Sequence, residues 1–314
     1  MTLTELKYIV AVARERHFGR AAEACFVSQP TLSVAIRKLE EELSVQLFER
    51  GPNEVSVTPV GQQIVEQAQR VLEQSNAIKE IAKHGKDPLS GPLRLGVIYT
   101  ISPYLLPHLV RRIIADAPTM PLLLQENFTV KLLESLRQGD IDVAIVADPF
   151  PDHGLMTQAM YDEPFVVAVP RDHPLARRKS VRSEELKSET MLLLGAGHCF
   201  RDQVLEVCPE LSRYSQSSAG IQKTFEGSSL ETIRHMVASG IGITVLPIMA
   251  KPPPRDEGLL AYVPFTPPPP FRRVSLVWRK SFSRLAAIEA VRKATLASDL
   301  PGVTKLPNEP PVAH

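Results

Sequence analysis

The sequence predicts an α/β protein in which a small helical domain and a long connecting helix precede a larger domain of two lobes. Three patterns support this fold class. Apolar residues recur at helical spacing over residues 2–58, and one long amphipathic stretch follows over residues 59–87. Strand and helix patterns then alternate from residue 93 to about residue 300. We expect domains at 1–58, 59–91 and 92–300, and a flexible, proline-rich tail at 301–314.

The bulk composition is typical of a globular protein that is not embedded in a membrane. The 314 residues are 44% hydrophobic and 23% charged, and the apolar runs are shorter than the ~20 residues that a membrane span needs. Charged residues near the N-terminus argue against a signal peptide, so we expect a cytoplasmic protein with reduced thiols. The three cysteines form no CxxC pair, so we expect no metal site and no cofactor.

The helical domain has the pattern of a helix-turn-helix. A third helix follows Ser28, a good N-cap, with Pro30 tolerated in its first turn. Its buried stripe comprises Leu32, Ala35, Ile36, Leu39 and Leu43. Small polar and basic side chains are left to face outward, and such groups read base edges and hold phosphates in double-stranded DNA. The predicted DNA-binding residues are Gln29, Pro30, Thr31, Ser33, Arg37 and Lys38.

A two-stranded wing is predicted after the third helix. Residues 47–50 and 55–58 alternate as strands around a turn at residues 51–54, which places Arg50 to enter a minor groove. Residues 1–58 carry seven basic and eight acidic side chains, so net charge does not reveal a DNA-binding surface. A small helical interaction domain is the alternative that periodicity alone leaves open.

Four segments resemble the winged helix-turn-helix of LysR-type transcriptional regulators. They are Ala21-Ala-Glu-Ala-Cys-Phe-Val-Ser-Gln-Pro-Thr-Leu-Ser, Ile36-Arg-Lys-Leu-Glu-Glu-Glu-Leu, Leu47-Phe-Glu-Arg and Val57-Thr-Pro-Val-Gly61. The resemblance implies a DNA-binding domain, a dimerising helix and an effector domain, and a transcription activator rather than an enzyme. It also implies a homodimer that assembles into a homotetramer, and RNA polymerase as a partner.

The connecting helix carries a long apolar stripe at residues 60, 64, 68, 71, 75, 78 and 81. A stripe of this length favours packing against a partner helix. A helix packed on its own domain is the alternative.

The larger domain is predicted to contain two α/β lobes. Strands at 93–98, 122–124 and 143–146 alternate with helices, which predicts a parallel sheet. Strands at 165–169, 191–194 and 243–246 begin a second set. Crossings near residues 163 and 268 would make lobe I from 92–163 and 268–300, and lobe II from 164–267. This arrangement resembles a periplasmic-binding-protein fold.

Two cysteines flank a short predicted helix in lobe II. Cys199 lies where the helix should begin, and a helix N-terminus stabilises the thiolate, the reactive form of cysteine. Cys208 lies at its end, before Pro209. Nine helical residues span about 13 Å, whereas a disulfide needs Cα atoms roughly 5.5–6 Å apart. Oxidation would therefore require the helix to unwind, unless both cysteines are simply buried core residues.

Strand ends bring further residues to the same edge. Thr100 follows the first strand, Thr129 follows the second, and His198-Cys199 follows a strand of lobe II. Because such sheets bind ligands at the carboxyl ends of their strands, these residues are expected to share one crevice. Each threonine alone is more commonly a helix cap or a turn hydroxyl.

Two longer segments resemble the peroxide-sensing branch of the LysR-type family. They are Gly197-His-Cys-Phe-Arg-Asp-Gln and the stretch from Ser228 to Pro247. The resemblance implies hydrogen peroxide as effector, Cys199 as the peroxidatic cysteine and Cys208 as the resolving cysteine. It further implies support of the peroxide site by Thr100, Thr129, His198, Asp202 and either Arg273 or Arg272, of which we favour Arg273. A metabolite-responsive regulator with inert cysteines, and a thiol peroxidase, are the competing hypotheses.

Overall fold

The computed structural model describes residues 1–51, 55–84, 87, 89–151, 154–209, 224–227, 229–253 and 258–313. These residues form two compact units, Met1–Asp87 with Ser281–Ser283, and Pro88–Lys280 with Arg284–His314. Among the residues described, every helix is too short or too polar to cross a membrane.

The first unit contains the predicted helix-turn-helix. Its helices are α1 (Leu3–Glu15), α2 (Phe18–Ala24) and α3 (Gln29–Leu43). The Ser28 hydroxyl accepts a hydrogen bond from the Thr31 backbone N–H, which confirms the predicted N-cap. Leu32, Ile36 and Leu39 are buried and hold α3 against the other two helices.

The wing and the long helix complete this unit. Strands β1 (Phe48–Arg50) and β2 (Val55–Val57) pair antiparallel, as predicted, and the connecting turn at 52–54 lies outside the described residues. Helix α4 (Pro59–His84) buries Val65 and Ala68 in the core of the helical domain. Val71 and Ile78 on the same helix are exposed. Helix α4 therefore packs partly on its own domain and still presents apolar side chains beyond it.

The second unit begins with the predicted parallel strands. Strands β3 (Leu93–Ile98), β4 (Leu122–Asn127) and β5 (Val143–Ala147) lie in the order β4-β3-β5, and both pairings are parallel. Their connections are α5 (Ser102–Asp116) and α6 (Thr129–Gln138). Two antiparallel strands, β6 (Leu155–Pro170) and β11 (Phe271–Arg279), extend this sheet, and α9 (Leu285–Ala297) is the last helix.

Strand β6 continues into the second set of elements. Its first half pairs with β11, and its second half pairs with β9 (Thr244–Pro247) and β10 (Leu260–Pro264). Beside them β7 (Met191–Leu194) and β8 (Thr224–Gly227) are parallel. Helices α7 (Cys199–Val207) and α8 (Leu230–Ala238) cover these strands and share their apolar core.

The structure contradicts the expectation that residues 301–314 form a flexible tail. Strands β12 (Thr304–Lys305) and β13 (Val312–Ala313) both pair with the edge of β6. Between them the Gln158 side-chain amide donates to Asn308 Oδ1 and to the Glu309 carbonyl. Proline favours extended backbone and is tolerated at a sheet edge, so a proline-rich segment can still be ordered there.

Candidate functional site

The cysteine, both threonines and the histidine predicted from the strand ends line one cavity. Thr100 follows β3, Thr129 begins α6 after β4, and His198 and Cys199 lie at the start of α7 after β7. The cavity measures about 10 Å³, which is room for one water-sized molecule. Its lining comprises Ile98, Tyr99, Thr100, Asn127, Phe128, Thr129, Gly197, His198 and Cys199.

Helix geometry makes Cys199 a favourable position for an anion. The residue is half-buried and is the first residue of α7, whose N-cap is His198. Unpaired backbone N–H groups and the helix dipole favour negative charge at this end. Gly197 reaches the turn with a φ of 97°, a left-handed conformation that favours glycine. The Phe128 ring lies directly over it, 3.5 Å from where a Cβ would be.

Aromatic rings hold His198 in place. The His198 ring is buried and meets Phe128 edge-on at 4.8 Å and Tyr99 at 5.9 Å between ring centres. Tyr99 and Phe128 also contact one another at 5.3 Å. The three rings therefore contact one another and together form part of the cavity lining.

Thr129 does not cap α6, although its position in the sequence favours that role. The N-cap of α6 is Phe128, and Thr129 is the first helical residue. Its side chain is 7% exposed, and Oγ1 finds no hydrogen-bond partner among the described residues. A buried hydroxyl without a partner costs about 1–3 kcal/mol. A small polar molecule in the cavity would satisfy it.

Thr100 is hydrogen-bonded to an arginine, and that arginine is Arg272 rather than Arg273. Arg272 Nη1 donates to Thr100 Oγ1 at 2.8 Å, and Nη2 donates to the Thr100 carbonyl at 3.0 Å. Arg273 instead is absent from the cavity lining and pairs with Asp162 at 2.8 Å. Adjacent residues of a strand face opposite sides, so a one-residue difference in register moves the arginine out of the site.

The remaining predicted cavity residue, Asp202, is exposed in the first turn of α7 and is absent from the cavity lining. An acidic residue in a first turn stabilises the helix through its dipole. Its predicted role in activating the thiol stays a prediction.

Cys208 lies at the far end of α7, in a different environment from Cys199. All three cysteines are free thiols, and Cys208 is the C-cap of the helix. It is 3% exposed within the apolar core that α7 shares with β7 and α8, and burial, with a smaller contribution from Glu184, raises its pKa to about 11. The Cys208 thiol is therefore protonated at neutral pH. Residues 210–223, which follow it, lie outside the described residues.

The predicted DNA-binding residues lie in the first unit. Gln29, Pro30, Thr31, Arg37 and Lys38 are exposed on α3, whereas Ser33 is half-buried. Arg50 ends β1 in the wing. The exposed residues share the face opposite the buried stripe of α3, which leaves that face open to a groove of DNA.

Sequence reasoning missed three contributors to the cavity and its support. Tyr99 and Phe128 each directly precede a predicted threonine, so the strand ends that indicated the threonines also indicated these two residues. Glu163 accepts from Arg272 Nε at 2.8 Å, and nothing in its local sequence indicates this contact. The pairing becomes visible only with the register of β6 and β11, in which these two residues are cross-strand partners.

Known protein families account for nearly the whole chain. Residues 3–62 match the family described as the bacterial regulatory helix-turn-helix protein, lysR family. Residues 86–298 match the LysR substrate binding domain. The chain therefore belongs to the LysR family of bacterial regulatory proteins.

Individual relatives narrow this assignment to the OxyR branch of the family. The chain is 40% identical over 297 residues to the DNA-binding transcriptional dual regulator OxyR of Escherichia coli K12, with 95% of each chain covered. Full-length OxyR of Pseudomonas aeruginosa, carrying a cysteine-to-aspartate mutation, is 50% identical with a TM-score of 0.75 over 96% of this chain and 99% of that chain. An H2O2-bound cysteine-to-serine mutant of Corynebacterium glutamicum OxyR is 35% identical with a TM-score of 0.63, over 94% and 91% of the chains.

Proposed function

We propose that this chain is a DNA-binding transcription regulator that senses hydrogen peroxide through Cys199. The observation that carries the proposal is a cavity of about 10 Å³ whose lining includes both Cys199 and Thr129, the latter with an unpartnered hydroxyl among the described residues. Hydrogen peroxide is only slightly larger than water and both donates and accepts hydrogen bonds. An ordinary metabolite needs a pocket of roughly 300–1,000 Å³, so the cavity favours peroxide over the metabolite-responsive alternative.

The chemistry needs only peroxide and the two thiols. The Cys199 thiolate attacks one peroxide oxygen, the O–O bond breaks, and the departing hydroxide takes a proton to become water. Cys199 is then a sulfenic acid. The Cys208 thiolate attacks its sulfur and expels the hydroxyl as water, which leaves a disulfide. The two thiols supply both electrons that reduce peroxide to two molecules of water.

The second step requires α7 to be remodelled. Cys199 and Cys208 begin and follow a nine-residue helix, so their Cα atoms are separated by about 13 Å at ~1.5 Å per residue. A disulfide brings Cα atoms to roughly 5.5–6 Å. Cys208 must also leave its buried position, because a thiol with a pKa of about 11 is seldom ionised at neutral pH. Oxidation is thereby coupled to a change of conformation in lobe II.

DNA binding and assembly complete the proposed mechanism. The exposed face of α3 would enter the major groove of double-stranded DNA, with Arg50 of the wing at the neighbouring minor groove. The exposed Val71 and Ile78 of α4 support dimerisation through this helix. Two dimers would form the homotetramer, whose rearrangement on oxidation would alter contacts with DNA and with RNA polymerase.

The proposal is tested with three single serine variants. Wild-type protein and Cys25→Ser, which changes the cysteine of the helical domain, should both change their DNA footprint when peroxide is added. Cys199→Ser should lose the response entirely. Cys208→Ser should form the sulfenic acid, detected by a dimedone-type reagent, without forming the disulfide. A peroxide-dependent footprint in Cys199→Ser would refute the proposal.

A further inference from the structure

A buried ion pair is hydrogen-bonded to Thr100 of the cavity lining. Glu163 and Arg272 are each 1% exposed in their side chains and are cross-strand partners of β6 and β11, where β6 passes from one set of strands to the other. Glu163 Oε2 accepts from Arg272 Nε at 2.8 Å. Glu163 Oε1 accepts from the Met249 backbone N–H at 3.0 Å. Both carboxylate oxygens are thus used, and the carboxylate is fixed from two sides.

The fixed carboxylate determines where the guanidinium points. With Nε bound to Glu163, the two terminal nitrogens of Arg272 reach the hydroxyl and the carbonyl of Thr100. The guanidinium also stacks over the ring of Phe200, 5.2 Å from its centre, and Phe200 is the residue after Cys199. One side chain therefore contacts a cavity residue and the first turn of the cysteine helix.

Hydrogen-bond polarity gives this arrangement a chemical consequence. A guanidinium only donates, whereas a threonine hydroxyl donates one proton and accepts through its lone pairs. Because Arg272 occupies a lone pair of Thr100 Oγ1, the hydroxyl keeps its proton for another acceptor, and the positive charge strengthens it as a donor. Thr100 lines the cavity. A peroxide oxygen that gains negative charge as the O–O bond breaks would be stabilised by such a donor.

We propose that Glu163 is a positioning residue for the reaction of Cys199 with peroxide. It holds Arg272 so that Thr100 presents its hydroxyl proton to the peroxide oxygen. This inference rests on the proposed function and adds a residue that does not itself touch peroxide.

Glu163→Gln tests the inference with little change of shape. A glutamine has one acceptor oxygen, so it can serve Met249 or Arg272 but not both, and its NH2 group would face the other donor. We expect the second-order rate of Cys199 with hydrogen peroxide to fall by about tenfold or more. The rate with iodoacetamide, which does not need the Thr100 donor, should change by less than about twofold. Asp162→Asn is the matched control and should change either rate by less than about twofold, since it alters the exposed pair with Arg273.

Two further measurements keep the inference falsifiable. In a Thr100→Val background, Glu163→Gln should slow the peroxide reaction no further, because both changes act through the same hydroxyl. If Glu163→Gln does not fold, Arg272→Lys is used instead. Lysine keeps the positive charge but lacks the planar guanidinium with its several donors. The rate of Cys199 with peroxide should therefore fall while the rate with iodoacetamide stays nearly unchanged.

The outcomes separate this inference from the proposed function. Equal losses with peroxide and iodoacetamide would show a merely structural role and overturn the inference. Normal peroxide reactivity in Glu163→Gln, with fast wild-type reaction, would overturn it as well and leave the proposed function intact. Wild-type Cys199 reacting no faster than free cysteine would overturn both.

Discussion

The proposed unwinding of α7 on oxidation can be tested through Val204. This residue lies in the second turn of α7, is 2% exposed and belongs to the apolar core that α7 shares with β7 and α8. Val204→Ala removes two buried methyl groups, each worth ~0.8 kcal/mol, and leaves a small cavity, for a total loss of about 2 kcal/mol in the reduced state. If oxidation releases Val204 from the core, the oxidised state does not bear this loss.

The difference between the two states changes the redox potential. Oxidation becomes more favourable by about 2 kcal/mol, and a two-electron couple shifts by 30 mV for each ~1.4 kcal/mol, so the Cys199–Cys208 potential should become about 40 mV more negative. The assay equilibrates the protein in dithiothreitol buffers of graded ratio and counts free thiols by alkylation and mass spectrometry. Urea unfolding of the reduced protein measures the destabilisation independently.

A matched control lies in the same core. Val237→Ala on α8 removes the same two methyl groups from a residue that is 0% exposed and outside the Cys199–Cys208 segment. It should lower the free energy of unfolding by a similar amount and leave the potential unchanged. An unchanged potential in Val204→Ala, together with a reduced free energy of unfolding, would refute the reasoning that α7 opens on oxidation.

Three further predictions follow from the described geometry. Thr129→Val should slow the reaction of Cys199 with peroxide. Urea unfolding should show the reduced protein to be as stable as the wild type or about 1 kcal/mol more stable, because the change removes a buried hydroxyl without a partner among the described residues. A large loss of stability would contradict this prediction. The second prediction concerns Cys208 in the Cys199→Ser variant, where burial keeps the pKa of Cys208 near 11. Alkylation of Cys208 should therefore be slow at pH 8 and should accelerate as the pH approaches 11. Rapid alkylation at pH 8 would show that the thiol is accessible. Arg37→Ala on the exposed face of α3 should weaken DNA binding and reduce the slope of log K against log salt concentration by about one. Fluorescence anisotropy at several salt concentrations measures this slope. An unchanged slope would show that Arg37 does not contact a phosphate.

Part of the cavity could be predicted from the sequence, because its two threonines follow neighbouring parallel strands. Strand Met191–Leu194 and helix Leu230–Ala238 have the bounds that their apolar patterns predict. Thr100 and Thr129 follow the parallel neighbours β3 and β4, so their placement at one edge follows from such patterns without knowledge of side-chain contacts. Cys199 follows β7, which pairs with β8 in a separate sheet, so its approach to the threonines depends on how the two sheets pack. The role of each side chain could not be predicted in this way. Whether Thr129 caps α6 depends on whether the helix begins at Thr129 or one residue later.

Long-range register explains what the sequence did not predict. The choice between Arg272 and Arg273 depends on how β11 pairs with β6, and this strand carries a register shift between Val274 and Ser275. The proline-rich tail has no periodic pattern of its own, and its order comes from the unpaired edge of β6. Both features are set by pairing between distant segments, which local patterns cannot encode.

Helix α7 makes the two steps of the proposed chemistry oppose each other. In the proposed mechanism its N-terminus would favour an anion at Cys199, whereas its length keeps Cys208 out of reach. The proposed first step would put a neutral sulfenic acid in the place of an anion, and an anion at a helix N-terminus is worth about 0.3–1 kcal/mol of helix stability. A nine-residue helix has little stability of its own and depends on packing. Under the proposed mechanism, oxidation of Cys199 would therefore weaken the helix whose opening Cys208 requires, so the conformational change would follow the chemistry instead of preceding it.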